Sequence, residues 1–393
     1  MRPDGFPREM DNGVKPFEPT GVDGACVGVP TNFILAGRRG RANQSHGTMS
    51  GSTELLDQRR ANEAVRAGDQ NLHAAPPSIE LPILHPVASR TVEKVLLVSN
   101  AYAGSVSERM KQVIVSALRA DFKLEVADTV ARDHATELAR DAAQRGFHAV
   151  VAFGGDGTIN EVAQGLVSTE VALGMLPGGT TNVMARSLGV PVDPIEATAF
   201  LCAHMRSAST RRISVGRVNG RYFLFSAGMG IDAEVVRRVE ADPDRKRARG
   251  EWLWLSHALR AGFGQYRGAE PSITLEVDGH EPRRVILVVC GNGRPFTYFK
   301  RWPVDACPEA QLDGGLDVLG LTRIRGAAIP RLAYSLFVSG SHVRWRTAIY
   351  HHDLRTARIT ADAPLPMQVD GDYIGERTEA ELALVPEALA IVA

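Results

Sequence analysis

The run Ala149-Val-Val-Ala-Phe153 passes directly into Gly154-Gly-Asp-Gly-Thr158 and then into Ile159-Asn-Glu161. An apolar run without alternation suits a strand covered on both faces, as in a parallel sheet. Three glycines then remove side chains where the backbone has to turn sharply and where a phosphate would have to approach. Thr158 and Glu161 stand at capping-box spacing, so a helix is predicted to begin there, its free N–H groups and positive dipole end facing the turn. Such a helix start attracts anions. A tight turn with glycines for geometry alone fits one stretch of this kind equally well, but a second stretch weighs against it. Residues 171–176 read as another buried strand that empties into Pro177-Gly-Gly-Thr-Thr-Asn182, ahead of a helical segment over 183–188 closed by Gly189 and Pro191. Two glycine-rich, hydroxyl-bearing turns at the ends of successive strands share one edge of a sheet, the edge where open α/β folds bind ligands.

A chain of 393 residues with 44% hydrophobic content has room for about two domains with real cores. Its 45 basic and 45 acidic residues cancel, so no global field recommends nucleic acid or an anionic membrane. Cys26, Cys202, Cys290 and Cys307 form neither a close pair nor a metal-ligand spacing, which fits a reducing cytoplasm better than a disulfide framework. No apolar run approaches the roughly eighteen residues of a spanning helix.

Residues 1–90 mix Gly, Pro, Ser, Asn and charges without sustained periodicity and are expected to be largely disordered. The apolar island at 26–37 is interrupted by Pro30 and lacks a basic stretch before it, so no secretory signal is expected; a true start at Met49 is a further expectation. From Lys94 the pattern turns regular: a strand over 95–100 ending in Asn100-Ala-Tyr-Ala-Gly104, a helix over 107–118, a strand over 123–129, and a helix over 136–145 closed by Gly146. Strand alternating with helix predicts a parallel, Rossmann-like sheet. A helix over about 194–205, with Pro194 suitably first, completes this half.

Beyond it the style changes. Segments 213–218 and 221–227 flank Asn219-Gly220, which suits a type I′ hairpin turn. Segments 273–277 and 285–290 flank Asp278-Gly279, and further strands are expected at 316–321, 357–360, 366–370 and 379–385. Such clustering indicates a second domain made mainly of antiparallel sheet. Trp252, Leu255, Leu259 and Phe263 stand at helical spacing behind Arg245, Lys246, Arg247 and Arg249. That pattern serves a membrane-facing helix flanked by cations or a core stripe beside a solvated basic loop.

Gly154-Gly-Asp-Gly-Thr-Ile-Asn-Glu161, together with Leu176-Pro-Gly-Gly-Thr-Thr-Asn182 and Ala185-Arg186-Ser187-Leu188-Gly189, resembles the catalytic domain of the diacylglycerol kinase and sphingosine kinase superfamily, most closely its bacterial YegS-like and DgkB-like lipid kinases. NAD kinases and phosphofructokinases also carry a Gly-Gly-Asp-Gly turn, and only the second motif at this distance separates them. The resemblance runs from about residue 91 onward. It implies a nucleotide-binding α/β domain over 91–212 and a β-sandwich domain over 213–393 whose final residues return to the first, behind an extension over 1–90. The cleft between the two domains is then the expected active site.

The resemblance implies ATP and Mg²⁺ as co-substrate and metal. Gly154, Gly155, Gly157, Thr158, Ile159 and Asn160, with Gly178, Gly179 and Thr180 of the second turn, are the implied phosphate-binding residues. Asn100 and Thr129 are implied nucleotide contacts, although Ala101 departs from the family's Asn-Pro loop. Asp156 beside a triphosphate either holds Mg²⁺ or fixes the turn by accepting backbone N–H groups. Asp370-Gly-Asp372 resembles the family's Asp-Gly-Glu motif, with Asp370 as implied general base and Asp156 as rival; Asp-Gly between strands is also an ordinary hairpin turn. In Pro308-Glu-Ala-Gln-Leu-Asp-Gly-Gly-Leu-Asp317 a structural Mg²⁺ would fall on Asp313 with the carbonyls of Gln311 and Leu316, but Gly314 stands where the family has its ligand carboxylate. The expected activity is phosphorylation of a lipid hydroxyl, diacylglycerol leading, in the cytoplasm and at the inner membrane face. The expected partners are a lipid, with peripheral membrane contact, no nucleic acid, and a homodimer among the allowed assemblies. A soluble-metabolite kinase of NAD kinase type and a non-catalytic nucleotide- or lipid-binding regulator are the alternatives.

Overall fold

The computed structural model describes residues 92–100, 107–241, 256–257, 260 and 269–393. The expectations for residues 1–90, for the loop around Ala101, and for the stripe from Trp252 to Phe263 lie outside the described residues.

Strands β1 (Lys94–Ser99), β2 (Lys123–Asp128), β3 (Ala149–Gly154) and β4 (Ala172–Pro177) pair in parallel in the order β2-β1-β3-β4. Every residue of β3 and β4 is buried, as their unbroken apolar runs require. Helices α1 (Glu108–Asp121), α2 (His134–Gln144), α3 (Asp156–Leu166), the short α4 (Val183–Ser187) and α5 (Pro194–Arg206) alternate with them, α2 packing on α3 and α1 on α5. Local capping sets two of the starts: Ser107 accepts the Met110 N–H at 3.2 Å before α1, and Asp193 accepts from Ile195 and Glu196 before Pro194 opens α5.

The second half is antiparallel. Strand β5 (Thr210–Val218) turns through Asn219 at φ 46 and Gly220 at φ 87 into β6 (Arg221–Phe223), the two positive values of a type I′ turn. Strand β7 (Ser226–Met229) lies between β10 (Leu287–Gly291) and β15 (Thr356–Val369), and β13 (Leu316–Leu321) and β14 (Ala348–Leu354) continue beyond β10. β8 (Ile273–Glu276) pairs with β9 (Arg283–Val285) and with the first half of β15. A core of residues such as Val218, Met229, Leu275, Val288, Ile359 and Met367 fills this sandwich. Helix α6 (Ile231–Glu240), which the sequence reading missed, covers a further cluster around Val239, Ile286 and Leu319.

The last strand, β16 (Asp372–Val392), joins both halves. It pairs antiparallel with β15 and then with β5, and its Ile391 pairs in parallel with Leu173 of β4. Leu389 and Ile391, both fully buried, sit in the same core as Phe153 and Leu173. The fold is therefore a Rossmann-like parallel α/β layer joined to an antiparallel β-sandwich.

Four strand expectations need correction. Segment 285–290 is split at Ile286: Val285 ends the β9 that pairs with β8, and the rest belongs to β10, which pairs with β7 and β13. Segment 221–227 is not one strand, because the N–H groups of Leu224 and Phe225 go to the Asp370 carboxylate instead of a strand partner. Segments 357–360 and 366–370 belong to one strand, β15, whose register shifts between Thr360 and Leu365. Segment 379–385 is only the middle of β16.

Candidate active site

The first glycine turn runs straight into α3. Gly155 is the residue before the helix and no side chain caps it. The helix starts at Asp156, two residues ahead of the expected capping box, whose members are engaged elsewhere. Thr158 Oγ1 accepts from Asn100 Nδ2 at 3.1 Å, and Glu161 accepts the Ala135 N–H at 3.3 Å. The first-turn N–H groups of α3 thus have no side-chain cap, and they carry the positive end of the helix dipole.

The second turn closes on itself. Asn182, left-handed at φ 50, accepts the Gly179 N–H at 3.0 Å and donates to the Gly179 carbonyl at 2.8 Å. The Gly178 N–H reaches the Gly154 carbonyl at 2.8 Å, carrying the β3–β4 ladder into the turns. A Cβ on Gly179 would stand 2.7 Å from Gly155 Cα. Glycine is required there because the two turns meet backbone to backbone.

Beside the turns, at the same ends of β1 and β2, lies a pocket of about 210 Å³ lined by Asn100, Thr129, Ala131, Arg132, Thr158 and Glu161. Asn100 is anchored by its N–H on the Phe153 carbonyl, and Thr129 by its own on Ser99, both near 3 Å. The two expected nucleotide contacts therefore line one cavity with Thr158.

Three aspartates surround the turns and differ in what they touch. Asp156 accepts the N–H of Met184 at 3.2 Å and that of Val183, which ties the start of α3 to the start of α4. Burial pushes its carboxyl upward against those donors, and Asp372 adds to the rise. Asp370 and Gly371 form the two-residue turn between β15 and β16, at φ 48 and 80, with Val369 opposite Asp372. The Asp370 carboxylate, 4% exposed, turns inward. One oxygen accepts Asn160 Nδ2 at 2.7 Å and the Leu224 N–H at 2.7 Å; the other accepts the N–H groups of Phe225 at 3.0 Å and Ser226 at 2.9 Å. Burial outweighs the four donors that pull this carboxyl down and leaves it raised to about 6. Asp372 instead lies across the first turn of α3: a Cβ on Gly157 would meet its carboxylate oxygens at 3.5 Å. Arg221 Nη2 stands 3.9 Å from that carboxylate.

Some expected residues are placed elsewhere. The Ile159 side chain is fully buried in the core of the α/β half and offers nothing to a ligand. Asn160 points away from the turn and bridges Asp370, the Tyr222 carbonyl and Arg221. Thr180 is exposed at the tip of the second turn. Of the residues expected to hold a structural Mg²⁺, Asp313 faces Arg211 at 3.4 Å and the Gln311 carbonyl accepts the Gly314 N–H at 3.0 Å. Leu316 is the buried first residue of β13, in register with Leu354.

Three arginines at the site escaped the sequence reading. Arg221 lies between Asn160, Asp133 and Asp372. Arg186 stacks on the Tyr298 ring at 3.5 Å and donates to the carbonyls of Thr181 and Lys300. Arg132 lines the pocket and reaches the Tyr373 carbonyl at 3.4 Å. Arg186 stood inside the quoted second motif, and Arg221 directly after the Asn-Gly turn. Neither position carries a spacing signal of its own.

The family model described as diacylglycerol kinase catalytic domain matches residues 94–218, and the one described as YegS C-terminal NAD kinase beta sandwich-like domain matches residues 226–393. A protein named diacylglycerol kinase from Bacillus subtilis is 29% identical over 273 residues, 68% of this chain and 85% of that protein. A "Probable lipid kinase YegS-like" from Pseudomonas aeruginosa is 31% identical over 226 residues, 57% of this chain and 70% of that protein. A crystal structure of a diacylglycerol kinase from Bacillus anthracis superposes with a TM-score of 0.56 at 21% identity, covering 76% of this chain and 96% of that one.

Proposed function

The chain belongs to the diacylglycerol kinase family of lipid kinases, and from that premise we propose that it transfers the γ-phosphoryl group of MgATP to a hydroxyl of a membrane-derived lipid, diacylglycerol yielding phosphatidic acid. The observation that carries this reading is the backbone contact between the turns at Gly155 and Gly179, which sets two loops side by side at the ends of parallel strands. Phosphoryl transfer asks a protein mainly for positioning and charge neutralisation, and this edge supports both. The pocket at Asn100 and Thr129 takes the nucleoside part, and the turns take the phosphates. Mg²⁺ arrives with the nucleotide, where it neutralises phosphate charge.

The base is assigned to Asp372 in place of Asp370. A carboxylate has about four acceptor positions, and Asp370 already receives four donors. Asp156 is likewise engaged with the start of α4. Asp372 lies against the glycine turn and keeps some exposure, 29% of its side chain. In the proposed step it takes the lipid hydroxyl proton as the oxygen bonds to the γ-phosphorus, and the bond to the β-phosphate oxygen breaks to release ADP. Asp370 holds residues 224–226 and Asn160 in place beneath it. The lipid is met at the cytoplasmic membrane face; among the described residues no helix is long and apolar enough to cross a membrane.

The test is phosphoryl transfer from labelled ATP, with Mg²⁺ and total lipid extract, by wild type and Asp372→Asn, the product identified by mass spectrometry. A phosphorylated lipid is expected from wild type, with a loss of about 10²–10⁴-fold in the folded variant. No lipid product from a protein that binds ATP, or NADP formed from NAD, overturns the reading.

A further inference from the structure

Trp302, Tyr334 and Val338 are 57%, 61% and 68% exposed, and the first two are the exposed large aromatics among the described residues. They stand on two elements that pack together. Trp302 opens β12 (Trp302–Val304), the second strand of a hairpin with β11 (Thr297–Phe299). Tyr334 and Val338 stand one turn apart in a continuous helical segment formed by α7 (Ile329–Tyr334) and the π-turn at Ser335–Ser339. Hairpin and segment are packed together: the rings of Phe299 and Phe337 meet edge to face at 6.3 Å, and the Asp305 N–H reaches the Leu336 carbonyl at 2.8 Å. Arg331, Tyr334 and Val338, spaced three and four apart, share the outward side of that segment.

The stretch that carries the helical segment is one-sided in charge, the nearby Asp305 of the hairpin being paired with Arg294 at 2.9 Å. Between Asp317 and Asp353 the sequence contains no Asp or Glu, yet it contains Arg323, Arg325, Arg331, Arg344 and Arg346. All five are exposed, two preceding the helical segment, one on it and two following it. The whole chain has a net charge of zero, so this local excess is not a reflection of composition. Lys300 and Arg301, both exposed, add to it at the hairpin tip, where Arg301 stands 5.9 Å from the Trp302 ring. The hairpin is also fastened to the candidate active site, because Arg186 joins the Lys300 carbonyl at 3.0 Å to the Thr181 carbonyl at 3.5 Å.

We propose that this aromatic and basic face docks the protein on an anionic bilayer, with Trp302, Tyr334 and Val338 entering the interface and the surrounding arginines lying at headgroup level. Exposed aromatics suit the boundary between acyl chains and headgroups, and cations on both flanks of an amphipathic segment meet the negative surface. The aliphatic Val338 on the outward line fits acyl chains and has no use for a nucleic-acid backbone. The inference rests on the lipid-kinase reading. It adds where the bilayer sits: against the hairpin clipped to the second glycine turn, so that a lipid hydroxyl is presented beside the phosphoryl donor.

The test is cosedimentation of the full chain with phosphatidylcholine vesicles, with and without phosphatidylglycerol. Wild type should bind the phosphatidylglycerol vesicles selectively and lose binding as salt rises. Each arginine near an anionic surface contributes roughly fivefold, so Arg323→Gln with Arg325→Gln should weaken binding about 25-fold. Trp302→Ser with Val338→Ser should weaken it by at least about tenfold. All four positions are exposed, and unchanged circular dichroism and melting would verify folding. With a short-chain acceptor dispersed in water these variants should phosphorylate at the wild-type rate, whereas with vesicle-borne acceptor they should slow in step with lost binding. Variants that bind vesicles like wild type overturn the proposal, as does wild type that ignores phosphatidylglycerol. Duplex DNA bound as tightly as the vesicles, or a variant effect confined to self-association in sedimentation, assigns the face to another partner and also overturns it. Activity on the water-dispersed acceptor with unaltered vesicle binding in the variants sinks the docking face and leaves the kinase reading intact. Variant-sensitive vesicle binding without any lipid phosphorylation does the reverse.

Discussion

Asp370 and Asp372 are separated by a single glycine and have opposite relations to water. For Asp370→Asn, an amide must place its NH₂ against backbone N–H donors, so one of the pairs at Leu224 or Phe225 and Ser226 is left facing another donor. A loss of about 3 kcal/mol of folding stability is expected, measured by urea denaturation. Asp372→Asn, at a partly exposed position, should change stability by less than about 0.5 kcal/mol while slowing transfer by about 10²–10⁴-fold, so the two variants separate a positioning role from a chemical one. A third aspartate sets a pH dependence. Asp232 has one oxygen buried without a hydrogen-bond partner, and burial raises its carboxyl to about 6 against the donated bond from Gln368. A carboxyl raised on folding contributes stability that is complete below its unfolded value near 4 and is lost as pH rises through about 6. Asp232→Asn should therefore match wild type in stability at pH 4 and exceed it by about 2–3 kcal/mol at pH 8, as followed by thermal melts across pH. The sequence displayed the Asp-Gly-Asp run as both turn and candidate site, and the turn geometry at 370–371 fits that pattern. Which carboxylate points inward was not legible there, because it depends on the pairing of Val369 with Asp372 and on donors from residues 224–226, some 145 positions away.

Among elements, the glycine turns make the sharpest prediction. Gly179→Ala would put a methyl 2.7 Å from the Gly155 Cα, a backbone atom that cannot swing aside, whereas Gly157→Ala would make ordinary contact with Asp372 at 3.5 Å. Gly179→Ala should cost about 1–3 kcal/mol and weaken nucleotide binding at least about tenfold by calorimetry, while Gly157→Ala should be clearly milder. The parallel elements were readable because each strand is a solid apolar run bounded by turn residues. The capping box was misread because Thr158 and Glu161 have the right spacing but reach Asn100 and Ala135, partners that are distant in the chain. Helix α6 was hidden by its start, where Gly230 at φ 102 replaces any capping residue. The length of β16 was equally obscure, since its exposed middle and buried end read as separate pieces.

At the scale of the molecule, β16 makes the two halves depend on each other. Removing residues 388–393 takes away Leu389, Ile391 and Val392, which are 0%, 0% and 1% exposed. At about 1.5–3 kcal/mol for each buried side chain, the loss rivals the whole stability of a typical domain. Such a truncation should be insoluble or should unfold at a much lower urea midpoint, and hydrogen exchange should rise in β4 and not only in the sandwich. Asn160 couples the halves a second time through Asp370 and Tyr222.

The pairing of Ile391 with Leu173 also has a consequence during synthesis. The first sheet leaves the ribosome with one flank of β4 bare, and its permanent neighbour is encoded more than two hundred codons downstream. At about 5–20 residues per second, that edge waits on the order of 10–40 s for its partner. A nascent chain in this interval presents an uncharged strand to any other chain on the same messenger, so slow translation of the second half would favour entanglement between neighbours and holdase chaperones would relieve it.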